Sequence, residues 1–390
     1  MQPDADSRLL AVVAEATKLR EGPEGVAALL RTVLRSGPMP LNELARAVRL
    51  PLPVATAVRR ELESAGLLER GGGVRLSGAG RRFCETELAL ASGIASPAAT
   101  AHADGSAVPP ALHAALAAME RHLANAPPPI DVTLDQAPCT AETAVRRAEA
   151  MFAAGAVEGR RIALIGDDDS MSVAIPAVAG AFGGPPREIV VFEIDAARCE
   201  QLAAAAGHTG APVRVVRHDL REPLPEACRG RFDLFVTDPP YTLEGMELFV
   251  SRGLEAMREE VGLPAFLSYG DLAAPDQLAL LRCVTALGLA PTRIRPSFNR
   301  YAGASILGSV GQFIELRLGE LRTPGEPRRH EGPIYTGEVR PRRRRYRCRA
   351  CGVVTVVGTG ETHATVEALK RDGCPRCGEH TFRREGLVAG

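Results

Sequence analysis

The chain has 390 residues, 45% of them apolar and 24% charged, with 47 Lys and Arg against 47 Asp and Glu. That length exceeds one ordinary core and predicts two or three globular domains. A net charge of zero gives the whole molecule no pull onto nucleic acid or membrane, no apolar run is long enough to span a bilayer, and the opening MQPDADSRLL does not read as a signal peptide, so a cytoplasmic protein without membrane contact is expected.

Residues 1–90 read as a winged-helix domain. A helix near Val26–Leu34, a second over Leu41–Val48 and a third over Val54–Glu69 precede RGGGVRLSGAGRRF, which reads as a two-stranded wing around a glycine turn. The third helix carries Arg59 and Arg60 but also Glu61 and Glu63, a poor surface for reading bases, so dimerisation or a lid-like role outweighs sequence-specific DNA binding. Residues 91–130 read as a proline-punctuated linker over 91–110, then an Ala-rich helix to Asn125.

Residues 131–320 change period. After a helix over Ala141–Ala154 capped by Thr140, short apolar runs alternate with helices: RIALIG, EIVVFEID, VRVVRHDL, FDLFVTDPP and PAFLSYG, closed by an antiparallel pair, PTRIRPSF and GQFIELRL. This pattern predicts an α/β fold, a class I Rossmann-like sheet of the methyltransferase type, with its ligand beyond the carboxyl ends of the strands. Those ends carry acids in succession: Asp167, Asp168 and Asp169 after Gly166, then Glu193 and Asp195, Asp219 and Asp238. Glu193 stands where such folds bind ribose hydroxyls and Asp219 where adenine commonly sits, so with Gly166 they predict an adenosyl ligand. Three carboxylates repel a pyrophosphate, and neither G-x-G-x-x-G nor a Walker lysine occurs. A sulfonium nucleoside fits.

Asp238–Thr242, DPPYT, is the sharpest motif. In D-P-P-Y a carboxylate (Asp238) and a backbone carbonyl (Pro239), held by stiff prolines, aim the lone pair of a nitrogen at an electrophilic carbon, and the ring of Tyr241 packs on the substrate or its charge. The motif also serves amino-methyltransferases acting on nucleic-acid bases. Three further carboxylates favour ammonium-bearing ligands over a polyanion.

The segments DQAPCTAETAVRRAEAMFAAGAVEGRRIALIGDDDSMSVAI, VVFEIDAARCE, FDLFVTDPPYTLEGMELFVSRGL and FNRY resemble the branched-chain polyamine synthase family, the N(4)-bis(aminopropyl)spermidine synthases. The resemblance runs from about Asp131 to Leu318. It implies transfer of the aminopropyl group of decarboxylated S-adenosylmethionine to the central nitrogen of spermidine, twice for the branched product, with release of methylthioadenosine. It also implies catalytic or amine-binding roles for the aspartate triplet and Asp238. On this reading Asp167 and Asp168 face the amines, with Asp167 also in the catalytic set, and Asp169 holds the aminopropyl ammonium. Gln136 and Thr140 close over the co-substrate. Transfer to another amine-bearing substrate, an amino-methyltransferase acting on nucleic acid, and a non-catalytic regulator remain as alternatives.

Residues 321–346 read as an Arg-rich linker, with ten arginines against three glutamates between Leu321 and Arg349. Residues 347–390 read as a zinc ribbon: Cys348 and Cys351, then Cys374 and Cys377, make two C-x2-C knuckles, each followed by glycine. The ribbon is expected to cap the fold or, with the Arg342–Arg345 run, to meet a nucleic acid or an acidic partner; a homodimer is the expected assembly.

Overall fold

The structure, a computed structural model, describes residues 7–91, 108–128, 131–301, 310–321, 328–339, 343–358 and 360–387. The N-terminal unit comprises α1 (Ser7–Ala16), α2 (Gly22–Ser36), α3 (Leu41–Ala47), α4 (Leu52–Ser64), β1 (Leu68–Arg70), β2 (Val74–Leu76) and α5 (Gly78–Thr86). Its core joins Val26, Leu29 and Leu30 of α2 to Leu44, Val58 and Leu62. Two expectations are corrected here. The third helix ends at Ser64, because Gly66 turns the chain at φ 74° into β1. The stretch after the wing is a helix: Ser77 Oγ accepts from Gly80 N (2.9 Å), a cap that outweighs the two glycines following it.

Most of the 91–110 linker lies outside the described residues. The Ala-rich helix that follows, α6 (His113–Asn125), is no part of a linker: Ala115 and Met119 sit in the same apolar cluster as Met151 and Phe152 of α7 (Ala141–Ala153). Thr140 caps α7 through Thr143 N.

The central sheet runs through β3 (Arg161–Ile165), β4 (Glu188–Glu193), β5 (Val213–Arg217), β6 (Leu234–Thr237), β7 (Pro264–Gly270), β8 (Leu289–Arg300) and β9 (Val310–Leu318). Its order is β5-β4-β3-β6-β7-β9-β8; the first five strands are parallel, and β9 runs antiparallel to both its neighbours, β7 and β8. One cluster of buried residues joins α6, α7, α8 (Met171–Phe182) and α9 (Ala196–Ala206) to one face. A second joins α10 (Leu243–Ala256) and α11 (Ala274–Ala286) to the other. Burial on both faces explains the continuous apolar runs, since neither side of β3 or β6 meets water.

Chain order reverses between β3 and β6, so the crevice of this sheet opens at their carboxyl ends. Ile165 is in register with Thr237, which sets Gly166–Asp169 beside Asp238. Glu24 of α2 fixes the N-terminal unit to the sheet domain, accepting from Arg160 at 2.7 and 2.8 Å in a buried contact.

Part of the stretch read as linker is built into the sheet domain. Residues 328–339, ending in α12 (Thr336–Val339), form a strap in which Ile334 and Tyr335 are buried. Thr336 N donates to Asp135 (2.7 Å), and Glu338 takes Arg221 at 2.7 and 2.9 Å. Beyond it, β10 (Arg344–Cys348), β11 (Val354–Val357) and β12 (Phe382–Leu387) form an antiparallel sheet with β10 central, joined by α13 (Val366–Asp372). The arginine run thus belongs partly to β10 of this unit.

Candidate active site

The crevice is a cleft open to solvent. Its walls include Gln136, Gly166, Asp168, Glu193, Asp238 and Pro239 among the expected residues, with Phe192, Leu220, Phe249 and Tyr335 as apolar surface. Gly166 takes φ 76°, a conformation that favours glycine, and a Cβ there would point at the Phe249 ring 3.4 Å away. The bend brings backbone to the cleft floor. Leu220, next in the chain to Asp219, lines the wall, while Asp219 accepts from Arg221 N (2.9 Å). Thr140 is held at the start of α7, where its N donates to Arg300 O (2.9 Å).

The three aspartates point in three directions. Asp167 is buried, and both its oxygens cap α8: Oδ1 accepts from Met171 N (2.6 Å) and Oδ2 from Ser172 N (3.1 Å). Ser170 stands at the cap position in a left-handed conformation (φ 57°) and makes no side-chain cap bond, so Asp167 supplies it. Asp167, expected to face the amines, has both oxygens held by helix N–H groups and lines a smaller cavity beside the main cleft together with Asp168, Asp169 and Asp238. Asp169, expected to hold the aminopropyl ammonium, is also buried, accepting from Cys139 N and pairing with Arg147. Asp168 alone of the three lines the main cleft; its Oδ2 accepts from Ala137 N (3.0 Å).

Asp238 takes two donors on one oxygen. Oδ2 accepts from Arg147 Nη2 at 2.9 Å and from the Tyr301 hydroxyl at 2.8 Å. Tyr241 packs edge-on beside it, 5.9 Å from the Tyr269 ring and 6.5 Å from that of Tyr301. Glu193 Oε1 accepts from Ile194 N (2.8 Å) and Asp195 N (2.9 Å), and Oε2 from Asp167 N (3.1 Å). Gln136 reaches Asp195 at 3.3 Å.

Crowded acids in a desolvated site cannot all ionise. Burial, then Asp169, Asp238 and Glu193, push Asp168 well above the usual carboxylate range. Burial and the neighbouring Asp169 push Asp238 up to about 7, against Arg147. Burial opposes ionisation of Asp169 too, but Arg147 overrides it and holds that carboxyl below its ordinary value. Burial pushes Asp167 up to about 7 although Arg198 opposes it.

Several site residues carry no motif signal of their own. Arg147 is one of two adjacent arginines on α7, and nothing in RR says that one is buried. Asn299 and Tyr301 appear only as part of FNRY. Tyr335 lies in a stretch whose composition reads as solvated linker.

At the other end of the chain, the Sγ atoms of Cys348, Cys351, Cys374 and Cys377 lie within 4.8 Å of one another. A zinc–sulfur bond of about 2.3 Å puts tetrahedral sulfurs about 3.8 Å apart, so the four thiols fit a zinc site.

A family model for the C-terminal domain of branched-chain polyamine synthase A matches residues 116–316. The chain belongs to the branched-chain polyamine synthase family. The chain is 33% identical over 360 residues to the uncharacterized protein MJ0675 of Methanocaldococcus jannaschii, covering 90% of this chain and 88% of that one. Over 207 residues it is 30% identical to the N(4)-bis(aminopropyl)spermidine synthase of Thermus thermophilus, covering 53% of this chain but 56% of that enzyme. The match to the Thermococcus kodakarensis enzyme of the same name is 37% over 125 residues, 32% of this chain and 34% of that one. The chain thus spans from about a third to just over half of those two synthases. The crystal structure of the Thermus thermophilus branched-chain polyamine synthase, in complex with N4-aminopropylspermidine and 5'-methylthioadenosine, superposes with a TM-score of 0.50 at 26% identity, covering 85% of this chain and 98% of that one. The family's Rossmann-like sheet is the one described above.

Proposed function

We propose that the cleft transfers the aminopropyl group of decarboxylated S-adenosylmethionine to the central secondary amine of spermidine, and a second time to the same nitrogen's derivative where a branched product forms. The observation that carries this reading is the junction of β3 and β6. It sets a glycine bend and apolar walls suited to a nucleoside beside two carboxylates suited to cationic amines. In the reaction the amine lone pair attacks the carbon bonded to sulfonium. A nitrogen–carbon bond forms, the carbon–sulfur electrons stay on sulfur, and neutral methylthioadenosine leaves. In the first transfer the proton lost by the secondary amine passes to a carboxylate, for which Asp168 and Asp238 stand on the wall; a second transfer, onto the tertiary amine so formed, gives a quaternary ammonium and releases no proton. The Pro239 carbonyl and the Tyr241 ring orient the nitrogen.

The adenosyl end is assigned to Gly166, Glu193 and the wall made by Phe192, Leu220 and Tyr335. The Glu193 oxygens, held by backbone N–H groups, keep spare lone pairs for ribose hydroxyls. Zinc is assigned to the four cysteines as a structural ion that closes the C-terminal unit. Any polyanionic partner is assigned to that unit, where Arg345, Arg349, Arg376 and Arg384 are exposed, and not to the acidic cleft.

Incubation of the full chain with spermidine and decarboxylated S-adenosylmethionine tests the activity by product mass. The expected outcome is aminopropylated spermidine with one methylthioadenosine per transfer. Release of S-adenosylhomocysteine from S-adenosylmethionine with a nucleic-acid acceptor, and no aminopropyl product, overturns the reading.

A further inference from the structure

The guanidinium of Arg147 is 1% exposed, and all three of its nitrogens donate within the site. Nη1 pairs with Asp169. Nη2 gives one bond to Asp238 Oδ2 (2.9 Å) and one to the Tyr301 hydroxyl (3.1 Å). Nε donates to Asn299 Oδ1 (2.9 Å), and Asn299 Nδ2 in turn donates to Gln312 O (2.7 Å) on β9. Helix α7, the end of β8 and β9 therefore fix one cation between two carboxylates of the cleft. Tyr301 completes the arrangement by donating to the same Asp238 oxygen as Arg147.

We infer that Arg147 is a positioning residue, an internal counter-ion that ties up Oδ2 of Asp238, favours the ionised form of that carboxylate beside Asp169, and leaves Oδ1 for the proton of the acceptor amine. The inference rests on the proposed aminopropyl transfer, with Asp238 facing the amine. The physical necessity is simple. Asp169 and Asp238 meet on one guanidinium, and two buried carboxylates that close tend to share a proton unless a cation compensates them. A guanidinium suits the task because its planar fork serves both at once, whereas an ammonium is a single point of charge. Asp168 lacks this pairing, so the cleft keeps uncompensated acid for a polycation.

The groups facing Asp238 come from every element around it. They are Arg147 on α7, Cys139 ahead of it, Asp168 and Asp169 after β3, Tyr269 on β7, Tyr301 after β8, and Tyr241 in its own loop. Arg147 is the one cation in this set, so its removal can move the Asp238 titration in only one direction, upward.

The test compares pH profiles of kcat/KM for methylthioadenosine release by the wild type, Arg147→Met, Arg147→Lys and Tyr301→Phe. Arg147→Met should move the acid limb up by about one pH unit or more, lose about tenfold or more in rate at pH 7, and recover toward higher pH. Methylthioadenosine affinity should stay within about twofold. Arg147→Lys should restore part of the shift. Tyr301→Phe removes a single neutral donor, so it should shift the limb the same way by less, and it serves if Arg147→Met does not fold. A rate loss that is uniform across pH, with the limb unmoved in both Arg147→Lys and Tyr301→Phe, overturns the inference and leaves Arg147 a purely structural pair. A wild type that releases no methylthioadenosine sinks the proposed function instead. The Asp238 carboxyl can then be titrated directly by carbon-13 NMR, where an unchanged midpoint in the variants overturns the inference without any turnover.

Discussion

Asp167, Asp168 and Asp169 are chemically identical neighbours with three different occupations, and backbone geometry alone separates them. Asp167 turns back to the first turn of α8, Asp169 turns inward to Arg147, and Asp168 reaches the cleft. Two substitutions separate these roles. Asp168→Asn should lower kcat about 100-fold or more while leaving methylthioadenosine affinity and melting temperature close to wild type, as loss of a proton acceptor predicts. Asp167→Ala should instead cost about 1–2 kcal/mol of stability in urea titration, the loss of a helix cap, and fall in specific activity only as far as the folded fraction falls. The reverse pattern would return Asp167 to the amines. At this scale the sequence was legible in kind and not in direction. GDDD and DPPY announce an acidic site for cations, but the partner of each acid depends on where α7 lies. The arginine that divides the acids comes from a position where sequence shows only a second basic residue on a helix.

Among the elements, the sheet was the most legible part. Five short runs and a closing antiparallel pair read in order, β3, β4, β6 and β7 most plainly because burial on both faces removes alternation, and all seven are strands of one sheet. The reversal of strand order between β3 and β6 then follows from the usual winding of such folds and places the crevice. Glycine content misled at 71–86. Three glycines make the wing turn, but the next two start α5, because Ser77 supplies the acceptor that a helix start lacks. The contact of α2 with the sheet domain was not legible, since Glu24 looks like any helix-start acid. Burial opposes its charge, yet Arg160, then Arg31 and Arg317, hold it down to about 2 from an ordinary 4.5. A carboxylate depressed on folding contributes stability above the unfolded value and loses it as the proton arrives. That contribution is therefore full above about pH 5 and fades between pH 4.5 and about 2. Glu24→Gln should destabilise the chain by about 3–5 kcal/mol at pH 7, because three guanidinium groups lose their buried partner. The gap in urea midpoint from wild type should narrow as pH falls toward 3. A gap independent of pH would show that Glu24 contributes packing and not charge.

For the whole molecule, the division into a helical N-terminal unit, an α/β domain and a four-cysteine unit was readable from period and cysteine spacing, while the borders were not. α6 and residues 328–339 both pack on the α/β domain although their composition resembles connecting chain. A border is set by which apolar side chains find a partner, and Met119, Ile334 and Tyr335 find theirs across long stretches of sequence. Among the described residues of the C-terminal unit the apolar nucleus is small, Tyr346, Val357 and Leu369 with Val366 and Phe382 against them, too little for independent stability without a metal staple. Chelation of the full chain should therefore melt this unit, read as loss of one zinc per chain and a new low-temperature transition. Methylthioadenosine release should persist. Retention of the unit's fold without metal would assign the cysteines another purpose.

The strap also decides where the catalytic part stops. Tyr335 reaches the cleft wall from beyond the residues that match the family domain, and Thr336 is latched to Asp135. Cutting the chain after β9 to free it of its arginines would also unroof the nucleoside end. A cut after Val339 keeps the wall and removes only the unit that hangs from it.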